Sequence, residues 1–242
     1  MQLEVEGFIL SETPYGETSK IINVLTKDKG LVGIMCKGAK SMKSHLRATT
    51  SAYTYGIFNL YYKEGKLSTL VSVDIIDPLK NIHSDLTLIS FVTYVCELTN
   101  QVIKQNNSAK IYYNFINTIL KLEKGIDPLI LVNILELKYL PLLGVGLDLD
   151  GCIKCGNKTE IVTIDASYGG LICKNCYENS IIVDKKVIQL LRMFYYVDIS
   201  SISSINVKKE FKMIINKLIN DYYDSFTGLY LNSKKFLETL ID

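Results

Sequence analysis

The stretch KIINVLTKDKGLVGIMCK, residues 20–37, decides the fold of the N-terminal part of the chain. Two runs rich in β-branched and apolar residues flank the turn Asp28-Lys29-Gly30, a pattern that predicts a β-hairpin. Three further runs of this kind are GFIL from Gly7, the aromatic residues 53–62 and LSTLVSVDII from Leu67. Turn residues separate them at Pro14-Tyr15-Gly16 and Glu64-Gly65-Lys66. About five strands before Pro78 therefore predict a small β-barrel.

Beyond Pro78 the apolar residues follow helical spacing. One helix is predicted to start at Ser84-Asp85, a second to cover residues 109–122, and a third to start at Asp127-Pro128. After a segment that contains four cysteines, helical spacing resumes in two or three pieces. The chain is thus predicted to be a β domain followed by a helical domain that the cysteine segment interrupts.

One of the C-terminal pieces carries apolar residues at positions i, i+3, i+4 and i+7. They are Phe211, Ile214, Ile215, Leu218, Ile219, Tyr222 and Tyr223. Such a stripe packs either into the protein's own core or into a groove for a partner, and core packing is the interpretation that we favour.

The composition indicates a globular chain with a sizeable core. It has 242 residues, 48% of them hydrophobic, and no run approaches the roughly 18 apolar residues of a membrane helix. The N-terminus lacks the layout of a signal peptide, so we expect a cytoplasmic, nucleoid-associated protein with no membrane partner. With 27 Lys and Arg against 25 Asp and Glu, the net charge of +2 does not argue for a polyanionic partner. A nucleic-acid site has to rest on local clustering of charge.

Four of the six cysteines form two C-x2-C pairs, CIKC and CKNC. Cys152, Cys155, Cys173 and Cys176 have the spacing of a four-cysteine zinc site, with the residues 156–172 between the pairs. Four thiolates fill all tetrahedral positions, so we expect one structural zinc ion and no site for an activated water. A redox pair of C-x2-C motifs and an iron–sulfur cluster are the alternatives, but neither the βαβ pattern of the first nor the cysteine run of the second is present.

The surroundings of the cysteines fit a metal site as well. Gly156 suits the left-handed backbone of the first C-x2-C turn, and nearby lysines could offset the negative charge of the thiolates: Lys154, Lys158 and Lys174. The paired acids Asp148 and Asp150 are too few for a calcium site, and we interpret them as solvated. The remaining thiols, Cys36 and Cys96, are predicted to be free and packed as small hydrophobic side chains.

The segment KGAKSMKSHLR, residues 37–47, is here called the basic loop. It contains four cations and no acid, with small and polar residues between them: Lys37, Lys40, Lys43 and Arg47 are the candidate nucleic-acid-binding residues. A solvated charge run on a flexible loop is an equally good interpretation of this segment by itself. The aromatic residues that follow could stack on bases, but strand alternation predicts that about half of them face the barrel core, so none is named as a stacking residue.

No catalytic constellation is recognisable. His45 and His83 have no catalytic neighbour in sequence, and the phosphate-binding, metalloprotease and nucleophile-elbow motifs do not occur. We therefore expect no enzymatic activity and no small-molecule substrate.

Taken together, these segments resemble the RecO proteins of bacterial DNA repair and recombination. The most specific stretches are PYGETSKIINVLTKDKGLVGIMCKGAK from Pro14, RATTSAYTYGIFNLY from Arg47, LELKYLPLLGVGLDLDGCIKCG from Leu135 and SYGGLICKNC from Ser167. The resemblance implies an α+β multidomain fold: a five-stranded OB-fold barrel over residues 1–79, a helical domain over 80–146 and 183–242, and a four-cysteine zinc ribbon inserted at 147–182. The OB-fold is a five-stranded barrel, in agreement with the strand count.

The resemblance also implies a function. Proteins of this family bind single- and double-stranded DNA, anneal complementary strands and, with RecR, help to load RecA onto strands coated by single-strand DNA-binding protein. The four cations of the basic loop match the family's basic motif, whereas Ser41 and Met42 replace basic or proline residues of many relatives. The competing hypothesis is a zinc-ribbon adaptor that binds proteins without contacting DNA.

Overall fold

The computed structural model describes residues 1–165, 167–178 and 182–241. Residues 166 and 179–181 of the predicted ribbon segment, and residue 242 of the predicted helical domain, lie outside the described residues. Contacts group the chain into two compact units, Met1–Lys124 with Leu231–Asp242, and Gly125–Tyr230. The domain bounds predicted from the sequence are a different division and stay a prediction.

The first unit begins with a closed five-stranded barrel, which confirms the predicted fold class. Its strands are β1 (Gln2–Tyr15), β2 (Ser19–Thr26), β3 (Gly30–Cys36), β4 (Tyr55–Tyr61) and β5 (Ser68–Asp77). The order around the barrel is β1-β2-β3-β5-β4, and β1 pairs with β4 to complete it. All neighbours are antiparallel except β3 and β5, which run parallel and pair at Ile34–Ser68 and Met35–Thr69.

Alternating residues of these strands fill the barrel. Ile22, Val24, Ile34, Phe58 and Leu60 are fully buried in one apolar cluster, as strand periodicity requires of an inward face. The β4–β5 ladder contains two register shifts, which leave Val71 and Ile76 of β5 without a direct partner in β4. These two residues are exposed, because a bulge turns the extra side chain away from the regular alternation.

Two glycines let neighbouring strands of the barrel approach closely, Gly7 between β1 and β2 and Gly56 between β4 and β5. Gly7 lies directly opposite Gly56. A Cβ atom on Gly56 would lie 2.7 Å from the carbonyl oxygen of Asp74, and one on Gly7 would lie 2.6 Å from Cγ1 of Val24. A larger residue would therefore push β1 away from β2 at Gly7, or β4 away from β5 at Gly56.

The structure has eight α-helices within the described residues. They are α1 (Leu46–Thr49), α2 (Lys80–Ser84), α3 (Leu86–Gln105), α4 (Ala109–Glu123), α5 (Pro128–Tyr139), α6 (Lys185–Tyr196), α7 (Lys209–Phe226) and α8 (Asn232–Ile241). The predicted starts at Asp85 and Asp127 are confirmed, since each carboxylate caps its helix, Asp85 by accepting from the N–H groups of Thr87 and Leu88.

Side chains join the helices of the first unit to one another and to the barrel. The Glu97 carboxylate of α3 accepts from the backbone N–H groups of Asn232 and Ser233, and so caps α8.

Among the described helices, α3 alone is long and apolar enough to cross a membrane. However, 56% of its apolar window is buried within the protein, as in the core helix of a globular fold.

The second unit contains α5, α6, α7 and a three-stranded sheet. Its strands are β6 (Asp148–Cys152), β7 (Ile161–Asp165) and β8 (Gly170–Cys173), in the order β6-β8-β7. The apolar stripe of α7 packs largely as predicted, because Ile215, Ile219, Tyr222 and Tyr223 are buried. Ile214 is 39% exposed, so the prediction that it belongs to the buried face is wrong.

Candidate metal centre and basic loop

The two C-x2-C pairs come together at the end of the three-stranded sheet. Cys152 ends β6 and Cys173 ends the neighbouring strand β8. The Sγ atoms of all four cysteines lie within 4.8 Å of one another, and those of Cys155 and Cys173 are 3.6 Å apart. Four sulfurs at about 2.3 Å from a tetrahedral zinc ion would be separated by about 3.8 Å. The four thiols are thus spaced as ligands of a single metal ion.

Backbone hydrogen bonds shape the first pair into a tight turn. The N–H of Gly156 donates to the carbonyl of Cys152 over 2.7 Å, and the N–H of Cys152 donates to the carbonyl of Asn157 over 2.8 Å. Gly156 has a φ of +73°, which confirms the left-handed conformation expected there. The second pair is a single 3-10 turn, Lys174–Cys176. Both turns thus bring their sulfurs together where β6 and β8 end.

The electrostatics of this cluster favour a thiolate at Cys152. Burial would raise the pKa of the Cys152 thiol, but N–H groups of Cys173, Cys155 and Lys154 donate to its sulfur and lower the pKa to about 6. A thiolate rather than a thiol is the form that binds a metal ion. The donor set therefore fits a soft metal ion.

Of the lysines predicted to offset the thiolate charge, Lys154 is engaged elsewhere. Its Nζ lies 2.8 Å from Oε1 of Glu178 and 4.4 Å from the ring centroid of Tyr168. The acids before the first pair also have partners: the hydroxyl of Tyr196 donates to Asp150, and Oδ1 of Asp148 accepts from the N–H of Asp150. Both acids are exposed, in agreement with their interpretation as solvated groups.

The basic loop is held against the barrel by its apolar residues and its backbone. Ala39 and Leu46 are 1% and 7% exposed and belong to the barrel core cluster. The N–H of Gly38 donates to the Ser19 hydroxyl over 3.2 Å, and the N–H of Lys40 donates to the carbonyl of Thr18 over 2.8 Å. Successive turns then follow. The backbone N–H of Ser41 donates to the carbonyl of Gly38, that of Ser44 to the carbonyl of Ser41, and that of Arg47 to the carbonyl of Ser44. The loop therefore has a defined backbone shape.

All four cations of the basic loop are exposed. Within the described part of the chain none of them forms an ion pair. The Lys40 ammonium donates to the carbonyl of Gly16 over 3.3 Å, and the Arg47 guanidinium contacts the sulfur of Met42. The cations thus face solvent without neutralising carboxylates, as a surface for a polyanion requires.

The aromatic residues after the loop are divided between the core and the surface, as alternation predicts. Tyr55 and Phe58 are buried, whereas Tyr61 is 54% exposed. Tyr53 is half-buried, and its hydroxyl hydrogen-bonds to that of Thr93 over 2.8 Å. A different exposed ring is that of Tyr15 at the tip of the β1–β2 hairpin, and the carbonyl of the next residue, Gly16, accepts from the Lys40 ammonium of the basic loop. The sequence pattern predicts a turn at Tyr15, and nothing in it indicates that this ring comes near the basic loop.

The two remaining cysteines are buried and the two histidines are exposed. Cys36 and Cys96 are buried, as expected. Burial raises the pKa of Cys36 to about 12 and that of Cys96 well above its ordinary value. His45 and His83 are exposed.

Comparison with known proteins assigns the chain to a family. The family model described as Recombination protein O N terminal matches residues 1–79, and the one described as Recombination protein O C terminal matches residues 83–235. The chain belongs to the RecO family.

Curated relatives agree with this assignment over nearly the full length. The chain is 35% identical over 239 residues to the DNA repair protein RecO of Listeria monocytogenes, covering 97% of this chain and 93% of the relative. It is 33% identical over 241 residues to that of Halalkalibacterium halodurans, covering 98% and 94%. It is 32% identical over 244 residues to that of Bacillus pumilus, covering 99% and 95%. Membership of the RecO family supports a role in DNA repair and recombination. The matched residues include the basic loop and all four clustered cysteines.

Proposed function

We propose that this RecO family protein is a non-enzymatic mediator of DNA repair and homologous recombination that binds DNA through the basic loop. The observation that carries the proposal is the loop itself. Four exposed cations project from a backbone that the barrel holds in place, and no acid interrupts them. Phosphate contacts of Lys and Arg supply most of the sequence-independent affinity for DNA. Bond chemistry is not required of such a surface.

The proposed activity includes binding of single- and double-stranded DNA and annealing of complementary strands. With RecR, the protein would help to load RecA onto strands coated by single-strand DNA-binding protein, in the cytoplasm at the nucleoid. What supports these partners is family membership. The loop contributes the DNA-binding part of the scheme.

The proposed metal is one structural zinc ion held by Cys152, Cys155, Cys173 and Cys176. The spacing of the four sulfur atoms supports it. Because four protein thiolates leave no coordination position for water, the ion would stabilise the ribbon rather than take part in a reaction. Native mass spectrometry of the purified protein should show one bound zinc ion. A metal-free mass would contradict this assignment.

Fluorescence anisotropy with a labelled single strand tests DNA binding by the basic loop. Four phosphate contacts give a slope of about −3 for log affinity against log salt concentration on single strands. Replacement of Lys37, Lys40, Lys43 and Arg47 by Ala should remove most of this slope and weaken binding. An unchanged slope in the fourfold variant would rule out the loop. An annealing assay with complementary oligonucleotides then tests whether bound strands pair faster than free ones.

The second candidate is a zinc-ribbon adaptor without direct DNA contact, which the net charge of +2 favours. The same titration separates the two candidates. Salt-sensitive binding of the wild-type protein excludes a pure adaptor, whereas no binding at low salt would favour one.

A further inference from the structure

The tip of the β1–β2 hairpin and the basic loop are joined by three hydrogen bonds. The Ser19 hydroxyl accepts from the N–H of Gly38, the Thr18 carbonyl accepts from the N–H of Lys40, and the Gly16 carbonyl accepts from the Lys40 ammonium. Segments some twenty positions apart in the sequence thereby form one continuous surface.

The side chain of Tyr15 belongs to this surface. Tyr15 is the last residue of β1 and lies directly opposite Ser19 in the antiparallel ladder. Directly opposed residues project from the same face of a sheet, and the Ser19 side chain reaches the backbone of the basic loop. The Tyr15 ring is 56% exposed. Tyr15 is therefore an accessible aromatic ring on the same face of the hairpin as Ser19, whose side chain contacts the basic loop.

We infer that Tyr15 stacks on an unpaired base of a strand whose phosphates lie along the basic loop. This inference rests on the proposed function, which it extends by naming the class of nucleic acid that the surface prefers. A cationic groove beside an aromatic ring is the usual arrangement for binding single strands, because every base offers a stacking face. Bases in a duplex are already stacked, so Tyr15 would favour single over double strands.

The neighbouring residues favour Tyr15 rather than Tyr61, the other exposed ring of the barrel, as the stacking residue. Tyr61 is similarly exposed, but its ladder partners are Gln2 and Thr69 rather than residues that hold the loop. The hairpin tip also carries the exposed acid Glu17. Its charge repels phosphates, which places the backbone of the strand on the loop and leaves the base for Tyr15.

A fluorescence experiment can detect the stacking directly, because the chain contains no tryptophan. The variant Tyr15→Trp would carry a single indole at the proposed contact. We expect its emission to be quenched when oligo(dT) is added at low salt, and to change little when a blunt duplex is added. Equal quenching by both would contradict a contact with unpaired bases.

The matched control is Tyr113→Trp, at a residue 48% exposed on α4. Tyr113 lies near Lys27, which follows the far end of β2 and is eight residues from Ser19 at the hairpin tip, or about 26 Å at 3.3 Å per strand residue. Its indole should not be quenched by oligo(dT). Quenching of Y15W no stronger than that of Y113W would overturn the inference.

Affinity measurements separate this inference from the proposed function. Tyr15→Ala should weaken oligo(dT) binding about fivefold or more, Tyr15→Phe should bind as the wild type does, and duplex affinity should change less than about twofold in both. If the wild type binds through the basic loop but Y15A binds oligo(dT) equally well, the inference on Tyr15 fails and the proposed function stands. If the fourfold alanine variant of the loop binds as the wild type does, the proposed function fails. Thermal unfolding of Y15A and Y15F confirms that each is folded.

Discussion

At the scale of single residues, Glu6 shows how one carboxylate joins the barrel to a helix. Its Oε1 accepts from the hydroxyl of Tyr55 in β4 over 2.6 Å and from that of Tyr112 in α4 over 3.0 Å. Its Oε2 lies 3.4 Å from the Lys27 ammonium. Partial burial by itself would raise the pKa of Glu6, but the two tyrosines and Lys27 outweigh burial and lower it from its ordinary value of 4.5.

This lowered pKa predicts a pH dependence. A carboxylate whose pKa is lower in the folded state stabilises the fold above its unfolded pKa, and the contribution is lost as the pH falls through the folded pKa. Glu6→Gln should therefore reduce the free energy of unfolding by about 1–2 kcal/mol at pH 7, and by progressively less as the pH falls through the lowered pKa of Glu6. Urea unfolding over a series of pH values from 7 downwards measures the difference. The control is Glu4→Gln, at an exposed residue of the same strand, and an equal loss in both variants would refute the role of Glu6.

At the scale of elements, the barrel and the ribbon depend on close approaches that few residue types allow. Gly56 lies so close to β5 that a Cβ atom added to it would be 2.7 Å from the backbone carbonyl oxygen of Asp74. Gly33 of β3 differs, because its Cβ would meet the flexible end of Leu67 at 3.0 Å. The same substitution should thus have different costs at two glycines of the same barrel.

Gly56→Ala is predicted to destabilise the protein by about 1–3 kcal/mol, since strand backbone has to move. Gly33→Ala should cost much less, because the Leu67 side chain can turn aside. Thermal or urea unfolding of the two variants gives the comparison. Equal stabilities would show that the β4–β5 approach tolerates a methyl group.

A separate prediction concerns the reactivity of the cysteine thiols in the ribbon. With zinc bound, an alkylating reagent at pH 8 should modify no cysteine rapidly, and after chelation it should modify the four clustered ones. Cys36 and Cys96 should react only on unfolding, because burial keeps both thiols protonated. Intact mass after alkylation counts the modified thiols. Rapid modification of four cysteines before chelation would contradict a bound metal ion.

Much of this could be predicted from local sequence. The strands, the helix starts at Asp85 and Asp127, and the left-handed Gly156 follow from patterns within a few residues. The position of Tyr15 beside the basic loop could not, because it depends on which strands pair and in which register. The cap of α8 by Glu97 similarly joins residues 135 positions apart. The burial of Ile214 was predicted wrongly, because helical spacing indicates which face of a helix is apolar but not how much of that face a neighbouring element covers.

At the scale of the whole molecule, the candidate sites belong to different units of the chain. The basic loop lies in the unit that begins at Met1, and the four cysteines lie within Gly125–Tyr230. The net charge of +2 adds little general attraction for DNA. DNA contact should therefore depend on the loop, and the metal ion should matter mainly for the stability of its own unit.

Removal of zinc by a chelator should then lower the unfolding temperature while changing single-strand affinity by less than about twofold, because structural zinc contributes directly to folding free energy. Calorimetry and anisotropy on the same chelated sample measure the two effects. The Cys176→Ser variant provides a chelator-free comparison. Lost DNA binding with an unchanged unfolding temperature would reverse the assignment of roles.

The parallel contact between β3 and β5 has a mechanical consequence. Ile34–Ser68 and Met35–Thr69 are two register pairs, against the seven that join β2 to β3, and parallel pairs are slightly less stable per residue. The barrel is closed in topology, but it should open first along this line, where backbone amides would exchange fastest with deuterated solvent. Since β3 runs directly into Lys37, this opening would lie next to the basic loop. The hydrogen bonds from the loop to Thr18 and Ser19, and the seven pairs between β2 and β3, do not cross this line, so the loop should keep its shape when β3 and β5 separate.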